Sequence, residues 1–306
     1  LYHQIILKIQ IMRNNSHASN AVTVIGLGAM GKKIAQLYLA NKYQVTVWNR
    51  TVSKAASLKE LGAAIADDII SAINASPLVI VCVYDHKSSE EIFAQKDITS
   101  ALGDKIVVQL TTGSPEDAQR AEKWFNERNA EYLDGAIQVA PDQMALPDTT
   151  ILFSGKEAVF AHAKKDLSVL GGNLKYLGSK ITLASAMDLA TLSYVYGASM
   201  GFFHGVLVAE SSGLSIAEYG SLVSAISPSF GQFFQHESEV IQNGDYTITQ
   251  SPLSISVEAI NRIKAFSVSA GINSDLPVLA SKVIEEAATQ GYANEEFAAV
   301  IKVLRK

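Results

Sequence analysis

Short apolar runs alternate with amphipathic stretches from Val22 to about Gly178, and beyond Gly178 the short runs give way to long apolar helical segments. Residues 22–26, 44–48, 78–83, 105–110, 131–136 and 150–154 have the length and β-branched content of buried strands. Residues 32–41, 53–61 and 115–129 between them carry a helical period. Ser114-Pro115-Glu116-Asp117 marks a helix start: serine can cap, proline suits the first helical position, and acids suit the positive end of the dipole. This alternation predicts an α/β unit with a parallel sheet covered by helices on both faces.

The second half reads as helices over residues 182–209, 216–225, 230–243, 253–271, 275–290 and 294–305. The predicted organisation is an appendage at 1–20, an α/β domain at 21–180, and an apolar connecting helix with an all-helical domain at 181–306. The 182–209 stretch is apolar on nearly every face. Such a helix must be covered on several sides, and a partner subunit is one cover.

The first loop carries the most specific signal. Gly26, Gly28 and Gly31 form G-x-G-x-x-G, with Leu27, Ala29 and Met30 between them, placed after a strand and before a helix. The first glycine permits a tight turn, the second lets backbone approach a pyrophosphate, and the third lets helix and strand pack closely. The helix N-terminus then offers N–H groups to an anion. An NAD binder carries an acid at the end of the second strand to bond the ribose 2′-hydroxyl. Here Asn49, Arg50 and Thr51 stand there, with Lys54 a turn later. Two cations and two small polar groups suit a 2′-phosphate, so the expected cofactor is NADPH. The competing reading is a solvated turn in which Thr51 or Ser53 caps a helix.

Composition narrows the partners. The chain has 306 residues, 48% of them hydrophobic, and a net charge of −5 without a dense basic cluster, which argues against nucleic acid. Its one cysteine, Cys82, excludes an intramolecular disulfide and fits a reducing, cytoplasmic setting. Cys82 lies in a strand-like run and reads as a buried, inert thiol. No uninterrupted apolar run reaches the roughly eighteen residues of a membrane span, so no membrane partner is expected. The opening LYHQIILKIQI lacks a small-residue cleavage site, and Met12 is a candidate start within the appendage. Neither a metal-binding spacing nor a G-x-S-x-G elbow occurs, so no metal is expected.

Asp188 is the acid that stands out. It lies among Met187, Leu189, Leu192 and Val195, and no other acid precedes Glu210 on that helix. A carboxyl in such surroundings is costly unless paired, reached by a cleft, or protonated. Burial raises its pKa and can make it a proton donor near neutral pH. The alternative is a first-turn carboxylate facing the helix N-terminus. Tyr196 lies two turns further and could add a hydroxyl. His204 and Tyr194 read as core residues.

IGLGAMG, VTVWNRT with Lys54, QLTTGSP, and the Asp188 helix followed by GFFHG together resemble the NADPH-dependent imine reductases and reductive aminases of the β-hydroxyacid dehydrogenase-like superfamily. The resemblance runs from about Ala21 to the end of the chain. Hydroxyacid dehydrogenases carry a catalytic lysine where Asp188 stands and an asparagine where Leu192 stands. They also carry Gly-Gly after the fifth strand's acid, where this chain has Asp134-Gly135-Ala136-Ile137-Gln138. A carboxyl suits C=N chemistry: it can protonate nitrogen or steady an iminium cation.

By this resemblance Asp188 is the acid and Tyr196 a substrate-side hydroxyl. Cys82, Val83 and Tyr84 border the adenosine side or phosphate linker, and Thr111 and Thr112 lie near the nicotinamide ribose. Thr112 replaces the asparagine frequent in reductive aminases, which favours preformed imines over amine–ketone coupling. Gln250, Phe230 and Phe234 are placed near the substrate pocket. The implied fold is an N-terminal Rossmann domain, a long interdomain helix and a C-terminal helical domain. The implied assembly is a homodimer with swapped helical domains. The expected activity is NADPH-dependent reduction of small cyclic imines, with a ketone plus an amine as the other substrate form. The alternatives are a hydroxyacid dehydrogenase and a non-catalytic NADPH sensor.

Overall fold

The computed structural model describes residues 20–95 and 97–305. All but Asn20 of the expected N-terminal appendage lies outside them. Eight strands are present: β1 (Ala21–Ile25), β2 (Gln44–Trp48), β3 (Ala64–Ile65), β4 (Leu78–Val81), β5 (Ile106–Gln109), β6 (Glu131–Ile137), β7 (Thr150–Gly155) and β8 (Asn173–Tyr176). They form one sheet in the order β3-β2-β1-β4-β5-β6-β7-β8. The first six are mutually parallel, with Val24 opposite Val47 on one side and Ile80 on the other. This order reverses direction at β1, and such a switch point is where open α/β sheets bind ligands.

The helices of this half are α1 (Ala29–Ala40), α2 (Ala56–Glu60), α3 (Ile69–Asn74), α4 (His86–Phe93), α5 (Ile98–Leu102), α6 (Pro115–Asn126) and α7 (Glu157–Leu167). Both faces of the sheet are dry at its central strands. Val22 and Val24 pack with Ile34 and Tyr38 on one face, while Ile25, Val79 and Val81 pack with Phe93 and Phe125 on the other. Each fully buried Val or Ile contributes about 1.5–3 kcal/mol of transfer free energy. The Ser114 cap forms as predicted: Asp117 N–H donates to Ser114 Oγ at 3.2 Å and Ser114 N–H to Asp117 Oδ2 at 2.9 Å.

Two expectations for the sheet need correction. β7 runs antiparallel to β6, with Gly135 opposite Phe153. Residues 138–149 hold only the 3₁₀ turn Pro141–Gln143, and without a crossover helix the chain folds straight back. The short strands β3 and β8 also join the sheet, although their few residues carry no clear alternation.

The remaining helices are α8 (Leu183–Ser211), α9 (Ile216–Asn243), α10 (Leu253–Ser269), α11 (Asp275–Ala287) and α12 (Ile301–Leu304). The expected break between 225 and 230 does not occur, and α9 passes through Pro228. Proline removes one helical N–H, and flanking serines bond nearby carbonyls: Ser227 Oγ to Val223 O and Ser229 Oγ to Ile226 O, each at 2.6 Å. The expected terminal helix is instead a 3₁₀ turn, Phe297–Val300, followed by the single turn of α12.

The chain divides into two compact units after Leu192, inside α8. Among the described residues α8 is the one helix long and apolar enough to cross a membrane. Its start is tied to the sheet of the first unit. Ser154 Oγ donates to Ile181 O at 2.6 Å and accepts from Ala184 N at 3.1 Å, and Ala184 is fully buried. Within the second unit Leu253, Ala287 and Ala299 form a small core, while Phe203, Leu222 and Ile226 stay exposed.

Candidate active site

The glycine turn follows β1 directly. Gly26 has φ +94°, and a Cβ there would stand 2.2 Å from Cys82 O. A Cβ on Gly31 would meet Gly26 O at 2.0 Å, whereas one on Gly28 would meet nothing within 4 Å. The first and third glycines therefore satisfy packing inside the protein, and the second leaves space open to a ligand. Gly28 precedes α1 without a side-chain cap, which leaves that helix start facing the same space.

The tip of β2 closes one side. Leu27 N–H donates to Asn49 Oδ1 at 2.9 Å, and Asn49 Nδ2 donates to Thr51 O at 3.0 Å. Asn49 is thus engaged within the protein and shapes the turn. Arg50, Thr51 and Lys54 are exposed beside it, with Arg50 NH1 3.8 Å from Glu91 Oε2.

These groups line a cavity of about 430 Å³ together with Leu27, Ala29, Met30, Cys82, Val83 and Tyr84. Trp48, Ser88 and Ile92, which the motif does not include, also line it. The last two come from α4, whose start carried a readable signal: Asp85 Oδ1 accepts from Ser88 N at 2.7 Å as an N-cap. Thr111 and Thr112 do not line this cavity. Thr111 is buried and its Oγ1 accepts from Val83 N at 3.0 Å, so it holds the wall from behind; Thr112 is exposed. Burial pushes the Cys82 thiol up to about 11, which keeps it protonated and inert.

The open space over Gly28, the uncapped helix start and the exposed Arg50 and Lys54 together fit a dinucleotide with a 2′-phosphate.

Asp188 lies in the second turn of α8 and is 5% exposed, which excludes the first-turn reading. Its Oδ1 accepts from Gln138 Nε2 at 2.7 Å. Thr191 Oγ1 lies 2.6 Å from Gln138 Oε1 and 2.9 Å from the Asp188 carbonyl oxygen. Burial raises the Asp188 pKa, and the Gln138 donor pulls the other way. Gln138 follows β6, fifty residues from Asp188 in sequence. Its spacing alone gave no sign of this contact.

A second acid lies behind it. Asp134 on β6 is 2% exposed, and burial raises its pKa to about 8 despite hydrogen bonds from Ser185; the charge of Asp188 adds to the rise. An acid at an inward position of an apolar strand was the available signal.

The other predicted residues lie in the second unit. Tyr196 is two turns beyond Asp188 along α8 and is 68% exposed. His204 is buried and bonded to Ser267 Oγ at 3.2 Å, a core histidine as expected. Tyr194, expected in the core, is exposed instead and meets Phe234 edge-on at 5.3 Å, and Phe230 lies 6.3 Å from Phe234. Gln250 is exposed, and its N–H donates to Glu296 Oε2 at 3.0 Å.

Among the described residues His236, Glu237 and Glu296 are the one group close enough to hold a metal ion. Internal bonds engage each of the three residues, and Glu237 Oε2 is left buried without a partner. His236 Nδ1 meets Glu237 Oε1 at 3.0 Å and Nε2 meets Thr249 Oγ1 at 2.8 Å, while Glu296 accepts from the backbone of Thr249, Gln250 and Ser251. The cluster clamps the 249–251 turn.

Residues 21–178 match the NAD binding domain of 6-phosphogluconate dehydrogenase, and residues 180–306 match the NADPH-dependent reductive aminase-like C-terminal domain. The chain is 31% identical to the NADPH-dependent reductive aminase of Aspergillus oryzae, over 94% of this chain and 98% of that protein. An imine reductase from Myxococcus stipitatus in complex with NADP+ aligns with a TM-score of 0.89 and 30% identity, covering 93% of this chain and all of that one. A reductive aminase from Aspergillus terreus in complex with NADPH and ethyl levulinate aligns with a TM-score of 0.86 and 33% identity, covering 94% and 100%.

Proposed function

This chain belongs to the family of NADPH-dependent reductive aminases and imine reductases, and we propose that its own reaction is the reduction of a small cyclic imine with Asp188 as the acid. It is an NADPH-dependent oxidoreductase acting on C=N bonds. NADPH, when bound, supplies the hydride that reaches the imine carbon. Gly26 and Gly31 keep the turn tight, Gly28 leaves room over it, and Arg50, Thr51 and Lys54 hold the 2′-phosphate. Asn49 braces that turn from within.

The observation that carries the reading is the burial of Asp188 beside Gln138. A carboxyl whose pKa is raised by burial keeps its proton to higher pH than an exposed one, and can deliver it to the imine nitrogen. Once ionised, the same group steadies an iminium cation. A lysine at this position would repel that cation, which speaks against hydroxyacid chemistry here. Thr112, in place of asparagine, favours preformed imines; the Aspergillus terreus enzyme has been seen with NADPH4, cyclohexanone and allyl amine. We also propose that a second copy of the chain covers the large apolar side chains left exposed on α8 and α9, among them Met200, Phe203 and Leu222. Swapped helical domains are the arrangement expected for it.

Loss of NADPH absorbance with a panel of cyclic imines, ketone–amine pairs and β-oxoacids or semialdehydes, and its gain from NADP+ with β-hydroxyacids, tests the substrate class. Turnover of the imines well above the other two groups is expected. Activity confined to hydroxyacids with NADP+, or to their carbonyl forms with NADPH, would overturn it.

A further inference from the structure

We propose that Gln138 is a positioning residue for Asp188: its amide holds Oδ1, Thr191 sets the orientation of that amide, and the proton is thereby confined to Oδ2. This rests on the reading of Asp188 as the acid. Three contacts define the arrangement. Gln138 Nε2 donates to Asp188 Oδ1 at 2.7 Å, Thr191 Oγ1 donates to Gln138 Oε1 at 2.6 Å, and the same hydroxyl lies 2.9 Å from the backbone oxygen of Asp188.

An amide has two donors and two acceptor lone pairs, so its orientation must be set by its neighbours. A threonine hydroxyl pointing at Oε1 turns the NH₂ end toward the carboxyl. An N–H aimed at Oδ1 favours the proton on Oδ2, because the unprotonated, carbonyl-type oxygen is the better acceptor for that donor. The two carboxyl oxygens, equivalent in an exposed aspartate, become different: Oδ1 is the held oxygen and Oδ2 the one that carries and delivers the proton. Thr191 lies one turn beyond Asp188 on α8, so its hydroxyl and the carboxyl belong to one rigid element. Gln138 comes from the loop after β6 and joins that element to the sheet. The titratable group coupled to Asp188 is Asp134 on β6, itself bonded to Ser185.

Removing the donor has two consequences of different kind. Oδ1 loses its partner, so burial acts unopposed and Asp188 holds its proton to higher pH. The carboxyl also becomes free to rotate, so the proton spends part of its time on the wrong oxygen. Gln138→Leu should therefore lower kcat about tenfold with little change in KM, and move the alkaline limb of the kcat–pH profile upward by about half a unit or more. Thr191→Val should show the same pattern more weakly, and Thr191→Ser, which keeps the hydroxyl, should restore it.

The test pairs these profiles with carbon-13 NMR titration of the aspartate carboxyls in cofactor-free protein. Asp188→Asn identifies the resonance, and an Asp134→Asn background removes the neighbouring titration. The expected result is an upward-shifted Asp188 titration in Gln138→Leu and a normal one in Thr191→Ser. An unchanged titration and pH limb in Gln138→Leu, with Asp188→Asn inactive, would overturn the positioning role alone. Full turnover in Asp188→Asn would overturn both that role and the assignment of the acid.

Discussion

Leu27 N–H donates to Asn49 Oδ1 at 2.9 Å, which joins the glycine turn after β1 to the tip of β2. The residue that replaces the usual ribose-binding acid is thus part of the turn it stands beside. Asn49→Asp keeps an acceptor for Leu27, loses the donor to Thr51 O, and adds a negative charge next to Arg50 and Lys54. NADPH should weaken by at least about tenfold, ~1.4 kcal/mol, while NADH changes little. Arg50→Ala should weaken NADPH in the same selective way. Fluorescence titration with both cofactors reads the difference, and equal losses would argue against a 2′-phosphate site here.

The three glycines should separate stability from binding. Gly31→Ala drives a Cβ toward Gly26 O, where the available distance is 2.0 Å. Such overpacking costs about 1–3 kcal/mol and should lower Tm. Gly28→Ala meets nothing within 4 Å and should leave Tm unchanged. Its methyl group instead enters the space meant for the pyrophosphate, so NADPH affinity should fall. Thermal melts with and without NADPH distinguish the two; a stable Gly31→Ala protein with wild-type affinity would contradict this division.

Asp188→Asn should reduce turnover of a cyclic imine by about 10²-fold, the lower range for loss of a general acid. Its affinity for NADPH should stay within a few fold, because Asp188 does not line the glycine cavity. Steady-state rates and cofactor titrations on the same preparation check both parts.

Asp134 makes stability depend on pH. Its folded pKa of about 8 lies above the unfolded value, near 3.9. The unfolded chain gives up this proton first as pH rises. The stabilising contribution is therefore complete below about pH 4 and is lost progressively up to pH 8, with a slope of at most about 1.4 kcal/mol per pH unit. Asp134→Asn removes the proton exchange. Wild type should lose stability relative to this variant between pH 5 and 8 and run parallel above pH 9. Denaturant midpoints across that range measure it, and curves parallel throughout would exclude a buried, protonated Asp134.

Sedimentation equilibrium should give twice the chain mass. Phe203, 58% exposed on α8, is a suitable probe: Phe203→Glu should shift the mass toward that of one chain, and a monomeric wild type would remove the second copy from the account.

The parts of this protein that the sequence alone determined are those with local causes. A glycine at φ +94° tolerates no substitute, so the turn at Gly26 is visible in any reading of the chain. Apolar runs bounded by turns mark β1, β4, β5 and β6, which are buried on both faces, and β2, which buries Val45 and Val47 on one. Asp188 stands out because a carboxyl among leucines needs a reason. Tertiary structure decided what depends on meetings between distant segments. β7 turned antiparallel because its connection carries no crossover helix, and α9 continued through Pro228 with serine hydroxyls bonded to nearby carbonyls. Ser88 and Ile92 reached the cavity only once α4 packed beside β4. Gln138 met Asp188 across fifty residues. Periodicity reports which face of an element is apolar; it carries no information on which polar side chain of another element will stand opposite, and that pairing is what orients the acid.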